Sequence, residues 1–455
     1  LKYIGVDIGT THIKAIVFDE ESNKLIAKRI EKTPVMKDQF DGFAHDPSAI
    51  RDCIYRLLKK VVVDIGDASD VVSLSVASFG EEIVLLDKDK EPIGNSLVWY
   101  DNRGKEEAEE FLTEETLPLF NGNKVDSSFS IFKLLWMKKY RPTDLEKSVS
   151  VVDMGSYIVG SLCGNYVMDW SHASRTGVFD IFTRSWNHSV MEAAELEYTM
   201  LPPLVPSGSV VGTIKKDISQ ELGLPNTMAL VSGAHDHLCA AFASGVRKKG
   251  DLFISAGTSE AHLVLTEDPI NTSTISYPID QGCFVDDKSY YIMSSLPSGH
   301  VFKQWRQLLY KNVDENTIYE EISQVPVGSE GVLFHLSEDL KQESLQGMSY
   351  STNRAVLLHA IMEGLAWKSK EVSQVLSDLN GEHYEKVIVA GHPTKVELWK
   401  EMKATALEKD LTIIHEVEST ALGAALLAQK PFIHCKEQHI AEFSKYQNSI
   451  EIMNG

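Results

Sequence analysis

Hydrophobic positions fall in two alternating regimes along this chain. Short blocks of branched and aromatic residues are bounded by turn residues, and between them lie longer stretches in which apolar residues recur at helical spacing. Tyr3, Ile4 and Val6, followed by Ile13, Ala15, Ile16, Val17 and Phe18, predict two strands joined by a tight turn, with a third over Lys24–Glu31. Asp46-Pro47 then opens a helix, an N-cap followed by a proline where the missing N–H is no loss, and Ile50, Ile54, Leu57 and Leu58 mark its buried face. Val71–Phe79 reads as a buried strand and Ile83–Leu86 as half of a hairpin turning at Lys88–Lys90. Three helices are expected over Asn102–Leu112, Phe129–Tyr140 and Val151–Leu162, then strands over Val210–Ile214 and Met228–Val231.

The pattern then begins again. Leu252–Thr266 repeats strand, tight turn and strand; a strand over Tyr290–Ser294, a helix over Val301–Leu309, a long amphipathic helix over Ala355–Leu376 and a strand over Lys386–Ala390 follow. Gly391-His-Pro-Thr-Lys395 opens a helix reaching Leu407, and Thr412–Ile414 and Ser419–Ala428 give a last strand and a small-residue helix. Strands interleaved with helices indicate an α/β architecture. A restart a little over half the chain later indicates a duplicated domain rather than a solenoid, whose periods are far shorter. The expected division is residues 1–245 and 246–455, joined by a hinge without a long linker.

The two turns carry candidate chemistry. Asp7-Ile-Gly9-Thr10-Thr11, with Lys14 one strand-step on, offers backbone N–H groups, hydroxyls and an ammonium suited to phosphate oxygens, and a carboxylate suited to the magnesium that travels with them. The same residues also fit an ordinary hairpin. Gly257-Thr258-Ser259 repeats the turn with Ser255 in place of Asp7, so only the first copy keeps the metal carboxylate. Trp99, Asp101 and Arg103 fit a sugar ring and its hydroxyls, and equally a surface Trp beside an Asp–Arg ion pair. Asp236 follows a strand and Gly233 and opens a small-residue helix; it is either an N-cap or a base.

With 455 residues, 43 % apolar and 24 % charged, the chain resembles ordinary globular proteins. Its net charge of −21 argues against nucleic acid or an anionic membrane as partner, though not against ATP, which needs only a local positive patch. Five scattered cysteines, with no Cys-x-x-Cys pair, fit reduced thiols in the cytoplasm. The first residues enter a strand at once, which reads as no signal peptide, and no apolar run is long enough to span a membrane.

Six stretches in order resemble the FGGY carbohydrate kinases: Val6–Thr11, Trp99-x-Asp-x-Arg103, Met168–Asp180, Gly233–Asp236, Ser255–Ser259 and Glu418-Ser-Thr-Ala-Leu-Gly-Ala-Ala. The resemblance implies two ribonuclease-H-like domains of the actin-type ATPase superfamily flanking a cleft, and transfer of a phosphoryl group from ATP to a sugar hydroxyl, with Mg2+. It implies Asp236 as general base, Asp7 and Asp236 at the metal, and Glu81, Trp99, Asp101, Arg103, Asp236 and His237 at the sugar. It further implies Gly9, Thr10, Thr11, Lys14, Gly257, Thr258, Gln304, Gly391, His392 and Val396 at the nucleotide, with a homodimer as a candidate assembly. Three departures stand out. Gly80 and Ser128 lie where glycerol kinases carry Arg and Tyr, the loop after Phe334 lacks a Gly-Glu-Arg-x-Pro segment, and Gly391-His-Pro replaces a glycine-rich adenosine loop. The expected substrate is a ketose such as xylulose or fuculose, with gluconate or another sugar acid as runner-up. The rivals are a sugar sensor that has lost efficient ATP use and an actin- or chaperone-like ATPase.

Overall fold

The computed structural model describes residues 1–415 and 418–432 and the backbone of a strand at 443–446. It contains two mixed β-sheets. The first is built from β1 (Lys2–Ile8), β2 (His12–Asp19), β3 (Lys24–Lys32), β4 (Val71–Ser78), β5 (Val210–Thr213) and β6 (Ala229–Val231), in the order β5-β6-β4-β1-β2-β3. The second comprises β7 (Asp251–Ala256), β8 (Glu260–Thr266), β9 (Asp280–Cys283), β10 (Tyr290–Leu296), β11 (Lys386–Ala390), β12 (Leu411–Ile414) and β13 (Phe443–Tyr446), in the order β9-β10-β8-β7-β11-β12-β13. In each, an antiparallel hairpin (β1–β2, β7–β8) lies beside parallel strands (β4 and β6, β11 and β12). The two sheets therefore share one plan, as the repeated hairpin predicts, and the chain is a two-domain α/β protein.

Period-two alternation sorts each strand between two cores. Ile4, Val6 and Ile8 of β1 with Ile13, Ala15 and Val17 of β2 face α1 (Pro47–Ile65), whose Ile50, Ile54, Leu57 and Leu58 cover them. Asp46 caps that helix by accepting from Ser48 N–H, with Pro47 at its start. The opposite face, through Tyr3, Ile16 and Phe18, meets a central layer of two helices, α2 (Asp236–Ala243) and, near the chain's end, Ser419–Gln429. Phe253, Leu263, Ile388 and Ile414 of the second sheet close the same core from the other side. The far face of the second sheet is covered by α3 (Arg354–Asn380) and α4 (Glu397–Leu407); the terminal small-residue helix is α5 (Ser419–Gln429).

α5 thus belongs to the second half in sequence and packs on the first sheet. It approaches backbone to backbone: a Cβ on Gly5 would lie 2.0 Å from the Ala421 carbonyl oxygen, and one on Gly423 2.1 Å from that of Cys239 in α2.

Several expected elements shift. Ile83–Leu86 folds back at the expected turn, with Leu86 bridging Pro92 and Ile93 N–H donating to the Leu85 carbonyl, and it also pairs antiparallel with Ser150–Asp153. The helix expected from Val151 therefore begins at Met154, capped by Asp153, which accepts from Ser156 N–H. The charged helix is shorter, Lys105–Phe111, and His392–Lys395 is a 3₁₀ turn before α4 rather than its first turn. Cys53, Cys163, Cys239 and Cys283 are free thiols, and Cys435 lies outside the described residues. Among the described residues no helix is long and apolar enough to cross a membrane.

A methyl group at Gly5 has nowhere to go except into the backbone of α5. Gly5→Ala is expected to destabilise the protein by about 1–3 kcal/mol or more, read as a lower urea midpoint; an unchanged midpoint contradicts this packing.

Candidate active site

Asp7 is the penultimate residue of β1, opposite Lys14 on β2 in the ladder. Its carboxylate is 5 % exposed and lies 3.2 Å from the Lys14 ammonium, which also reaches Glu418 at 3.1 Å. Lys14 is thereby spent between two carboxylates rather than projecting towards a phosphate. Burial pushes the Asp7 carboxyl up to about 6, helped by the Asp236 and Glu418 charges and opposed by Lys14. The turn beyond it is pinned: Thr33 donates to the Gly9 carbonyl at 2.6 Å, and the Trp99 indole N–H donates to Thr10 Oγ1 at 2.9 Å.

Asp236 is the first residue of α2, whose N-cap, His235, makes no side-chain cap. The loop before it backs onto β4 so closely that a Cβ on Gly233 would lie 1.7 Å from the Val76 carbonyl oxygen. Asp236 Oδ1 accepts from the His237 backbone N–H at 2.6 Å and faces His235 Nδ1 at 3.1 Å, leaving Oδ2 for an acceptor group. Burial alone would raise its pKa, but the charges of His237 and His235 and these hydrogen bonds hold the carboxyl far below the usual range. It is a carboxylate under all ordinary conditions, and its charge reaches Asp7.

Glu81 lies at the end of β4 with φ of 60°, a left-handed backbone unusual for a residue with a side chain. The strain is held by its carbonyl, which accepts from Ser130 Oγ at 3.1 Å and from Lys133 Nζ at 3.2 Å. Lys133 is fully buried and donates also to the carbonyls of Trp99 and Ser128. The Glu81 carboxylate accepts from Arg175 Nε at 2.5 Å; burial would raise its pKa, and Arg175, with His235 and Lys133, brings it below the ordinary range. Arg175 stacks over Phe129 and reaches Asp280 of the second sheet at 3.0 Å. A further buried network supports the loop from behind. His172 Nδ1 lies 2.5 Å from Asp169 and its Nε2 2.9 Å from Ser78 Oγ, while Ser171 Oγ, itself on Asp169, accepts from His235 N–H at 2.9 Å.

The second turn opens a cavity of about 400 Å3, lined by Gly257, Thr258, Phe302, Tyr319, His392 and Val396 among others. The rings of Phe302 and Tyr319 lie near parallel, and at the floor Glu260 pairs with Lys403 at 2.7 Å and His262 at 2.9 Å. Gly391 has φ of 116°, and a Cβ there would lie 1.9 Å from the Ala256 carbonyl oxygen, so the loop keeps a glycine where it backs onto β7. The helix Ser298–Leu309 starts against the turn, His300 N–H donating to the Thr258 carbonyl at 2.8 Å, so its N-terminal end lies beside Gly257-Thr258.

The structure thus gathers Asp7, Asp236 and the first turn, and separately Gly257, Thr258, His392 and Val396. Gln304 is exposed and does not line the cavity. Asp101 and Arg103 are not brought to the carboxylates: Arg103 is held by Asp101 at 2.6 Å, by Asp38 and by the Phe43 carbonyl, over the ring of Trp136, beside a separate surface hollow. That is the ion-pair alternative the sequence left open. Sequence reasoning missed Arg175, Lys133 and His235 as site groups. Lys133, inside the apolar run Phe132-Lys-Leu-Leu, was the readable signal.

The sequence model described as "FGGY family of carbohydrate kinases, N-terminal domain" matches residues 2–243, and its C-terminal counterpart matches 252–430. The chain is 23 % identical to a xylulose kinase of Bacillus subtilis (strain 168), covering 98 % of this chain and 93 % of that one. It is 25 % identical to an L-fuculokinase of Salmonella typhi, covering 92 % and 90 %. The solved xylulose kinase from Rhodospirillum rubrum superposes with a TM-score of 0.91 at 21 % identity, over 98 % of this chain and 94 % of that one. The chain belongs to the FGGY family of carbohydrate kinases. It is an ATP-dependent sugar kinase.

The buried network has its own pH signature. Burial would lower the pKa of His172, but Asp153 and Asp169 hold it up to about 10 from 6.5. The folded protein keeps a proton that the unfolded chain releases, so this stabilisation is complete below about pH 6.5 and fades towards pH 10. The melting-temperature gap between the parent and His172→Gln should be widest below that value and close as pH rises; a constant gap contradicts a charged His172.

Proposed function

We propose that the substrate is a neutral polyhydroxylated sugar, a small ketose such as xylulose or fuculose, rather than a sugar acid. The observation that carries this reading is the commitment of the cations near the base. Arg175 is shared by Glu81 and Asp280, Lys133 by three carbonyls and Lys14 by Asp7 and Glu418. A sugar carboxylate would meet Glu81 and Asp236 with no uncommitted cation among these three to receive it, whereas hydroxyls can donate to both. The relatives include a xylulose kinase, an L-fuculokinase and a gluconokinase alike, so the choice between neutral sugar and sugar acid rests on the site's charges.

In this reading Asp236 Oδ2 accepts the proton of the sugar hydroxyl as its oxygen attacks the γ-phosphorus of ATP, and ADP leaves. The Gly257-Thr258 turn and the adjoining helix start would hold phosphate oxygens through backbone N–H groups, while the aromatic cavity with His392 receives the base. Asp7 and Asp236 fit a divalent cation, since two hard oxygen donors close enough to feel each other's charge leave an excess negative potential. Mg2+ carried there with ATP would supply charge neutralisation of the phosphates. Most of the rate would come from positioning and electrostatics. The division at 1–245 and 246–455 is retained as our domain assignment, with α5 lodged on the first sheet.

A panel of xylulose, fuculose, ribulose, gluconate and glycerol, followed by ADP release, tests this. One neutral ketose should stimulate turnover well above gluconate, and Asp236→Asn should lower kcat by roughly 10²–10⁴ with sugar affinity little changed. Stimulation by gluconate alone contradicts the neutral-sugar reading, and near-full turnover of the variant contradicts the base.

A further inference from the structure

Gly80 departs from the glycerol-kinase pattern, and taken alone it looks like a lost group. The structure shows the space filled from another loop. A Cβ on Gly80 would lie 2.7 Å from His235 Cδ2 and 2.8 Å from His235 Nε2, so the imidazole occupies the volume that any larger residue at position 80 would claim. His235 is almost buried, 7 % exposed. Its Nδ1 faces Asp236 Oδ1 at 3.1 Å, its ring stacks on His237 with centroids 5.6 Å apart, and its backbone N–H donates to Ser171 Oγ. The main chain of its loop runs alongside Ser78 at the end of β4. Because the facing atom is a carboxylate oxygen, Nδ1 carries the hydrogen.

We propose that His235 is a positioning residue for the transfer, seated in the space Gly80 leaves, which fixes the Asp236 carboxylate so that Oδ2 meets the acceptor hydroxyl. The helix start supplies one hydrogen bond to Oδ1, from His237 N–H. A single bond leaves the carboxylate free to turn about its Cβ–Cγ axis, whereas a second donor on the same oxygen holds the plane. Gly80 and His235 therefore form a pair: the glycine is required because the imidazole is there, and the imidazole reaches Asp236 because the glycine is there. Glu81 follows Gly80 directly in the chain, so the space the ring fills adjoins the residue that carries the second carboxylate. The role in sugar transfer rests on the reading given under the proposed function; the seating of the ring does not.

The test is a cycle of Gly80→Ala, His235→Ala and the double variant, with His235→Asn as the conservative change, because an amide N–H can replace Nδ1–H. On the sugar that the panel selects, His235→Ala should lower kcat about tenfold to a hundredfold with the KM for MgATP unchanged, and His235→Asn should recover most of the loss. Gly80→Ala should fall comparably in the parent and cost little more in the His235→Ala background, the non-additivity of two residues that share one space. If no sugar is turned over, the ketose reading falls. The same variants are then read on sugar-free MgATP hydrolysis, where water takes the acceptor's place at Asp236, with the same ordering expected. Melting temperatures read the seating independently, since Gly80→Ala should destabilise only while the imidazole is present. His235→Ala within twofold of the parent, or two losses that simply multiply, overturns the proposal.

Discussion

The site depends on how closely the backbone of α5 approaches its neighbours. α5 lies against β1 at Gly5 and against α2 at Gly423, in each case with no room for a side chain. Asp7 stands two residues beyond the first contact, and Asp236 opens the helix that makes the second. The spacing between the two carboxylates is therefore fixed by main-chain packing, which is dense and yields little. A side chain at either glycine would shift one of these two carboxylates as well as cost stability. The small-residue sequence of α5, Ala-Leu-Gly-Ala-Ala-Leu-Leu-Ala, follows from that demand.

Around this frame the charges are arranged in opposed pairs. Asp236 is driven far below the ordinary carboxylate range by donors and histidines, while Asp7 is driven up to about 6 by burial among like charges. One group is thereby ionised throughout, and the other is stabilised as an anion chiefly when a cation arrives. Behind them the buried charges are chained: Glu81 to Arg175 to Asp280, and Asp153 and Asp169 to His172. Such pairs seldom repay their desolvation as stability. Their use here is placement, since each fixes a segment that carries a site residue. The Arg175–Asp280 contact also ties the Glu81 carboxylate to the edge strand of the second sheet.

What the sequence disclosed follows the range of the interactions involved. The two hairpins were legible because apolar strand, Gly-Thr turn and apolar strand is a local pattern, and the structure pairs them as expected. Asp236 was legible from its place between a strand and a small-residue helix. Asp101 and Arg103 looked apt for a sugar or for each other, and in the structure they pair with each other. β9 went unread because Asp-Gln-Gly-Cys has no apolar alternation; it is held by β10 and by Ser174 Oγ, which accepts from Cys283 N–H. Strand and helix patterns also gave no hint that α5 returns to the first sheet. His235 escaped for the same reason: position 80 shows a glycine, and the group that fills its space lies more than a hundred residues away.

The central claim is that Asp7 and Asp236, held together by this packing, face the phosphates presented by the Gly257-Thr258 turn. A crystal structure with Mg2+ and a non-hydrolysable ATP analogue tests it most directly. The account predicts the metal between the phosphates and the Asp7–Asp236 pair, the base between Phe302, Tyr319 and His392, and the γ-phosphate directed at Asp236 Oδ2. A nucleotide bound with its phosphates away from both aspartates would contradict it.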